Sequence, residues 1–397
     1  MALPTRQPVK TALHKIRGKV RDYAWGGYDF IPELLQQDGP RDVPSAEYWL
    51  GAHPNDPAIV EIENGDSIPL DAFQADRSET PLPFLMKILD VRMMLSIQVH
   101  PSKERAIAGF AEEEATDTPR DASTRNYKDD NHKPELMVAL SEFWMLHGLR
   151  SAIELETEFS RRPSCAPLIP ILKDKGLPGL VELAVSDTDP LTLSVNASLI
   201  AEARANAAAS RKDSPDFWIC RWLDENPGVE RGIIMILLMN IVQLKEGEAI
   251  YQHDGLIHAY LEGQNIEIMP NSDNVLRAGL TNKHIDAQEL IRISLLESTN
   301  PNEFKTEAPR NDLCIRNFDT PFEDFHLQEL ELPPESVSEF KSDRASILLA
   351  YSGSGLTLSD GSTHLALNTG ESSYTSAGTQ LKLENSTAQP ARIYIGS

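Results

Sequence analysis

The chain has 397 residues, long enough for two or three domains that each bury a core of their own. Its 37 Lys and Arg stand against 60 Asp and Glu, a formal charge of −23 that argues against nucleic acid or an anionic membrane as partner. A bound anion would therefore need a local basic cluster held against the overall field.

The opening stretch MALPTRQPVK has a positive start but no apolar segment behind it, so no secretory signal is read and a cytoplasmic location is expected. Cys165, Cys220 and Cys314 lie far apart and form no CxxC pair, which fits a reducing compartment. Residues 1 to about 150 read as short strands between turn signals, as in AIVEIENGDSIPL and PELMVALSEFWML. From about 151 to 240 the pattern turns helical, with Ser or Asn start signals in SAIELETEFSRR, NASLIAEARANAAASRK and SPDFWICRWLDEN. The apolar run IIMILLMNIVQL, interrupted by Asn240, falls well short of the roughly 20 residues that span a bilayer and reads as core. GEAIYQHDGLIHAYLEGQNIEIMP returns to strands, and the tail from about 325 alternates between turns at SGSG, SDGS and NTGES. The expected class is mainly β with a helical insertion. Residues 1–150 and 241–324 would form one β-barrel, 151–240 a helical domain and 325–397 a second barrel.

Two stretches repeat. LKEGEAIYQHDGLIH has Leu244, Gly247, Glu248, Tyr251 and Gly255, and LNTGESSYTSAGTQL has Leu367, Gly370, Glu371, Tyr374 and Gly378 at the same offsets. A strand, a Gly-Glu turn, a strand and a second Gly turn is a plausible unit of a double-sheet barrel. Three residues after the second glycine the copies differ: His258 in one, Leu381 in the other. Only the first copy keeps a side chain able to bind metal there.

In LSIQVHP, period-2 geometry sends Leu95, Ile97 and Val99 to one face and Ser96, Gln98 and His100 to the other. Gln98 and His100 can offer two donors from one strand. Glu135 precedes the apolar strand LMVAL, and His258 sits among apolar neighbours. A lone strand histidine is more often structural than a ligand, and His53 and His253, in turn-rich loops, are left to that reading. Together Gln98, His100, Glu135 and His258 make an N/O donor set suited to zinc, with iron, cobalt or manganese as alternatives. Cations accompany them: Lys87 after an apolar run, Lys133 two residues before Glu135, and Arg277 and Lys283 about the Gly turn of NVLRAGLTNKH. Most such lysines are solvated surface groups, but Arg277 in its apolar setting calls for an anionic partner.

AEYWLGAHP, LSIQVHP, NYKDDNHKPEL, GEAIYQHDGLIHAYLEG and NSDNVLRAGLTNKHID resemble, in order, the motifs of the type I phosphomannose isomerases, zinc enzymes of the cupin superfamily. The resemblance runs from about Tyr23 to Asp286, more loosely beyond. It implies two cupin-type jelly rolls, the second degenerate, and one zinc held by Gln98, His100, Glu135 and His258. It further implies an active-site role for Arg277 and a grip on the substrate phosphate by Lys87, Ser96 and Lys283. The implied activity interconverts mannose 6-phosphate and fructose 6-phosphate in mannose and GDP-mannose metabolism. A small sugar phosphate is the expected partner, with no nucleic acid or membrane, and the chain is expected to be a monomer. Gln98 stands where many cupins have His, and the acidic stretch AEEEATDTPRDAST between His100 and Glu135 reads as a loop near the site mouth.

Aldose–ketose isomerisation needs a carbon base, a stabiliser for the developing oxyanion and a phosphate grip. Arg277 is the expected stabiliser. The base is open among Glu267, Lys133, His132 and Asp273. A silent sugar-phosphate binder and an iron cupin dioxygenase are the competing readings. The first would lack the cationic acid–base groups that Arg277 and Lys133 supply, and the second favours His-rich, apolar sites.

Overall fold

The computed structural model describes residues 12–62, 65–306, 314–341 and 343–397, so the N-terminal stretch read above for a signal lies outside the described residues. The architecture is mainly β with several helices, in open sheets and not closed barrels, and the chain divides into two compact units, residues 1–89 with 307–397 and residues 90–306.

In the first unit an eight-stranded sheet runs in the order Ile315–Phe318, Leu327–Leu332, Ala391–Gly396, Ser346–Ser352, Ser372–Thr375, Leu13–Arg17, Ile59–Glu61 and Ser67–Pro69. Three of these strands come from the N-terminal 70 residues: Leu13 pairs with Thr375 and Ile16 with Val60. A second sheet orders Ser336–Lys341, Gln380–Asn385, Leu356–Ser359 and His364–Leu367. In QLKLEN the period-2 pattern turns Leu381 and Leu383 inward while Gln380 and Lys382 stay exposed. Those leucines join Phe340 and Leu358 in one core with Leu330, Leu348 and Ile393 of the larger sheet.

The second unit is built around the long strand His258–Pro270. Near its start it pairs with Ile97–Val99 and Phe143–Leu149, and farther on with Glu135–Ala139, all antiparallel. A bulge between Tyr260 and Glu262 interrupts its pairing with Phe143–Leu149, and the pairing with Glu135–Ala139 begins at Asn265. Gly263 follows at φ 122°, and a Cβ there would stand 2.5 Å from the Glu142 carbonyl. Glycine is required by both the conformation and the close approach.

Five helices, Ala152–Arg161, Leu168–Val185, Pro190–Asn206, Pro215–Glu225 and Ile233–Leu238, contribute to one apolar core with these strands. Ser151 and Glu154 form a reciprocal capping box, and Ser214 caps the helix at Pro215. The start signal at Asn196 is misplaced. That helix begins at Pro190, where Asp189 accepts from the Leu191 and Thr192 amides and proline supplies a preset φ. The run IIMILLMNIVQL divides into a fully buried helix to Leu238 and a strand from Met239. The acidic stretch is likewise only partly loop. The helix Lys103–Ala115, capped by Ser102, runs through AEEEA, and Arg105, Arg120 and Arg125 pair with Glu112, Glu113 and Glu114.

The repeated stretches fold alike. Gly247 and Gly370 have φ of 81° and 84°, and Gly255 and Gly378 of 79° and 78°. The strands between them are Ala249–Gln252 and Ser372–Thr375. Each Glu closes its turn by accepting from the amide three residues back, Lys245 to Glu248 at 2.7 Å and Asn368 to Glu371 at 2.8 Å. Leu381, the counterpart of His258, is buried in core. Cys165, Cys220 and Cys314 are free thiols. Among the described residues no helix is long and apolar enough to cross a membrane.

Candidate metal centre and active site

Strand register assembles the site. On adjacent strands His258 lies opposite Gln98, and Gln98 opposite Arg277. Directly opposed residues share a face, so these three side chains project to the same side, and His100 joins them two residues beyond Gln98. The donor atoms of His100, Glu135 and His258 lie within 4.8 Å of one another, and all three residues are about 1% exposed.

Each imidazole is fixed by its second nitrogen. Nδ1 of His100 is 2.8 Å from the Asn274 carbonyl oxygen, and Nδ1 of His258 is 2.9 Å from that of Leu256. A carbonyl only accepts, so both rings carry their proton on Nδ1 and turn a lone pair on Nε2 inward. Those Nε2 atoms stand 3.3 Å from the two Glu135 carboxylate oxygens without hydrogen-bond geometry. His100 Nε2, His258 Nε2 and Glu135 Oε2 are buried with no hydrogen-bond partner among the described residues. An orphaned buried polar atom costs about 1–3 kcal/mol, and a divalent cation at their common point would satisfy all three, so the residues fit a metal.

Electrostatics keeps the donors in ligand form. Burial, and then the Lys133 ammonium, push the His100 pKa down to about 4. Burial alone would raise the Glu135 carboxyl, but Lys133 at 3.0 Å and the two imidazoles hold it well below its ordinary value. At neutral pH the site thus presents His100 as a neutral imidazole and Glu135 as a carboxylate.

A cationic cluster borders this group. Arg277 is half-buried with no hydrogen-bond or ion-pair partner among the described residues, and burial lowers its pKa. Lys283 is lowered by burial and then by the positive fields of Arg277 and Lys128. Lys128 was not singled out from the sequence, where nothing separates it from a solvated lysine.

The other expected residues are distributed as follows. Glu267 is buried, accepts from the Tyr260 hydroxyl at 2.8 Å, and lies opposite Met137, which places it on the same face as Glu135. His132 approaches Asp254 at 3.4 Å. The Asp273 amide donates to Asp129. Ser96, half-buried, directly precedes the 97–99 strand. Lys87 belongs to the first unit, buried, with its ammonium 5.5 Å from the Trp49 ring centre. His53 packs edge-on against Trp49 and His253 packs near Phe304. Sequence reasoning also missed Gln252 and His147, buried side chains directly opposite Glu135 and His258, and Asn274, which holds His100. Cross-strand register is the signal that finds the first two.

Residues 13–152 match the family model of the type I phosphomannose isomerase catalytic domain. The mannose-6-phosphate isomerase of Escherichia coli K12 is 34% identical over 394 residues, covering 96% of this chain and 99% of that one. The human mannose-6-phosphate isomerase is 31% identical, covering 89% of each. A crystal structure of a zinc-bound mannose 6-phosphate isomerase superposes with a TM-score of 0.85 at 30% identity, covering 97% of this chain and 99% of that one. With near-complete coverage on both sides at this identity, the chain belongs to the type I phosphomannose isomerase family.

Proposed function

We propose that this protein interconverts mannose 6-phosphate and fructose 6-phosphate at a single zinc ion held by Gln98, His100, Glu135 and His258. The observation that carries the reading is the convergence of three buried donor atoms, unpartnered among the described residues, with Arg277 opposite Gln98 on the adjoining strand. Zinc titration with a coupled isomerase assay, with and without chelator, tests it. One equivalent of metal and chelator-sensitive turnover are expected; metal-independent turnover, or none with zinc restored, would overturn it.

The metal, when bound, supplies a fixed positive charge that polarises the sugar oxygens. Moving a proton between C2 and C1 passes through an ene-diolate, whose negative oxygen needs a prepositioned donor. Arg277 suits that role because its guanidinium is committed to no acceptor among the described residues and is partly stripped of water. Lys133 is engaged with Glu135, which supports a task in holding the ligand carboxylate. Glu267, buried beside a phenol that can relay a proton and on the same face as Glu135, is the reading for the carbon base over His132, which lies against Asp254, and Asp273, whose amide donates to Asp129. The phosphate dianion is gripped by Lys283 and Ser96, with Lys87 assigned by the family resemblance. Exposed charges beyond roughly 8 Å are screened, so these near groups prevail over the net −23. The matched turn pairs support two related cupin-type β units, with the metal site retained in one and a leucine in the other.

A further inference from the structure

The side chain of Asn274 is fully buried and fully committed. Its Oδ1 accepts from the amides of Lys128 at 2.7 Å and Asp129 at 3.3 Å. Its Nδ2 donates to the carbonyls of Asp129 at 2.8 Å and Asn131 at 2.9 Å and to Asp129 Oδ1 at 3.1 Å. Its own amide donates to Ser272 Oγ, and that hydroxyl donates to Asp129 Oδ1 at 2.8 Å. Its carbonyl is the oxygen that accepts from His100 Nδ1. One residue thus touches two separate parts of the site. Its backbone sets the ring orientation and tautomer of His100, and its side chain clamps the segment 128–131 that leads into Lys133 and Glu135 and carries Lys128.

We infer that Asn274 is a positioning residue that locks the metal donors and the neighbouring cationic segment into one geometry. The inference rests on reading His100 and Glu135 as metal ligands. A carboxamide is needed here because the partners include two amide donors and two carbonyl acceptors, and only a side chain offering both an acceptor oxygen and an NH2 group answers all of them. Alanine would leave these buried backbone groups unpaired and free the 272–274 turn to shift its carbonyl away from His100. Aspartate would keep the acceptor but place a second carboxylate against Asp129. Partners of metal-bound histidines typically matter by about 10–100-fold in metal affinity.

The experiment loads the full chain with zinc and measures release to a chromogenic chelator, with circular dichroism to establish folding. Asn274→Ala that is folded should bind zinc about 10–100-fold more weakly, and at saturating zinc should keep a raised KM for the sugar phosphate because Lys128 is no longer seated. Wild-type affinity in a folded Asn274→Ala would overturn the inference. Should that variant fail to fold, Asn274→Asp alone and with Asp129→Asn decides. Weakened zinc binding in the single variant, regained at least several-fold in the pair that restores a donor–acceptor contact, upholds the lock; equal zinc affinity in both overturns it. A wild-type chain that binds no zinc would instead defeat the site reading itself.

Discussion

Replacing Lys133 by methionine separates the two charges on which the donor site depends. The Lys133 side chain is 9% exposed and that of Glu135 2%, with 3.0 Å between ammonium and carboxylate. Removing one partner of a buried ion pair leaves the other uncompensated, at a cost of about 3–5 kcal/mol. The compact unit 90–306 is one for which each kcal/mol shifts the melting temperature by about 2–4 °C. Taking the lower figure, because His100 can acquire a proton and partly replace the lysine, the metal-free Lys133→Met protein should melt about 6–12 °C below the wild type. Zinc reverses the balance, since it neutralises Glu135 directly and no longer faces the repulsion of a neighbouring ammonium. Coupling is reciprocal, so the variant should bind zinc more tightly, by tenfold for each 1.4 kcal/mol of relieved repulsion, and zinc should raise its melting temperature more than that of the wild type. Scanning calorimetry of chelated and zinc-loaded protein measures both. An unchanged metal-free melting temperature, or weaker zinc binding, would refute the assignment of Lys133 as the counterion of Glu135.

Arg277→Ala should lower turnover by about 100–1,000-fold with little change in melting temperature, because the guanidinium holds no partner among the described residues; a rate within a few-fold of wild type would remove it from the chemistry. Lys283→Ala should raise KM for the phosphorylated sugar with kcat nearly kept, as should Lys128→Ala, whose positive field acts on Lys283, and charge reversal at Lys87 tests the contact assigned by the family resemblance in the same assay. In the first unit, hydrogen bonds from Arg77, Tyr374 and Ser376 hold the Glu79 carboxyl below its ordinary value despite the opposing effect of burial. A depressed carboxylate stabilises the fold above its unfolded pKa and loses that contribution as pH falls through the folded value. Glu79→Gln should therefore melt lower at neutral pH, and the gap should close as the pH drops below about 4.5. A gap that widened toward acid would contradict the sign.

The convergence of His100, Glu135 and His258, with Gln98 on the adjoining strand register, was foreshadowed by short-range rules. Gln98 and His100 share a face at a spacing of two, and the repeat placed His258 where its twin has a core leucine. The Gly-Glu turns of that repeat proved to be closed by the same hydrogen bond in both copies, so a five-residue coincidence reported real structure. What stayed hidden depends on long-range pairing. Nothing in LHKIR announces that it pairs with Ser372–Thr375, more than 350 residues away, since any half-buried strand would carry the same pattern. Asn274 and Lys128 sit in irregular segments whose conformation is fixed by each other and not by any period. The helix in AEEEA was misread because its acidic run resembled a solvated loop, whereas three arginines neutralise it.

The proposed isomerase chemistry depends on Gln98, His100, Glu135 and His258 surrounding one cation. X-ray absorption at the zinc edge of the loaded protein tests it most directly. The expected spectrum has a shell of nitrogen and oxygen at about 2.0–2.2 Å, no sulfur, and two imidazole scattering signatures, of which His258→Ala loses one. A sulfur shell at about 2.3 Å, or a spectrum indifferent to His258, would place the metal elsewhere in the protein.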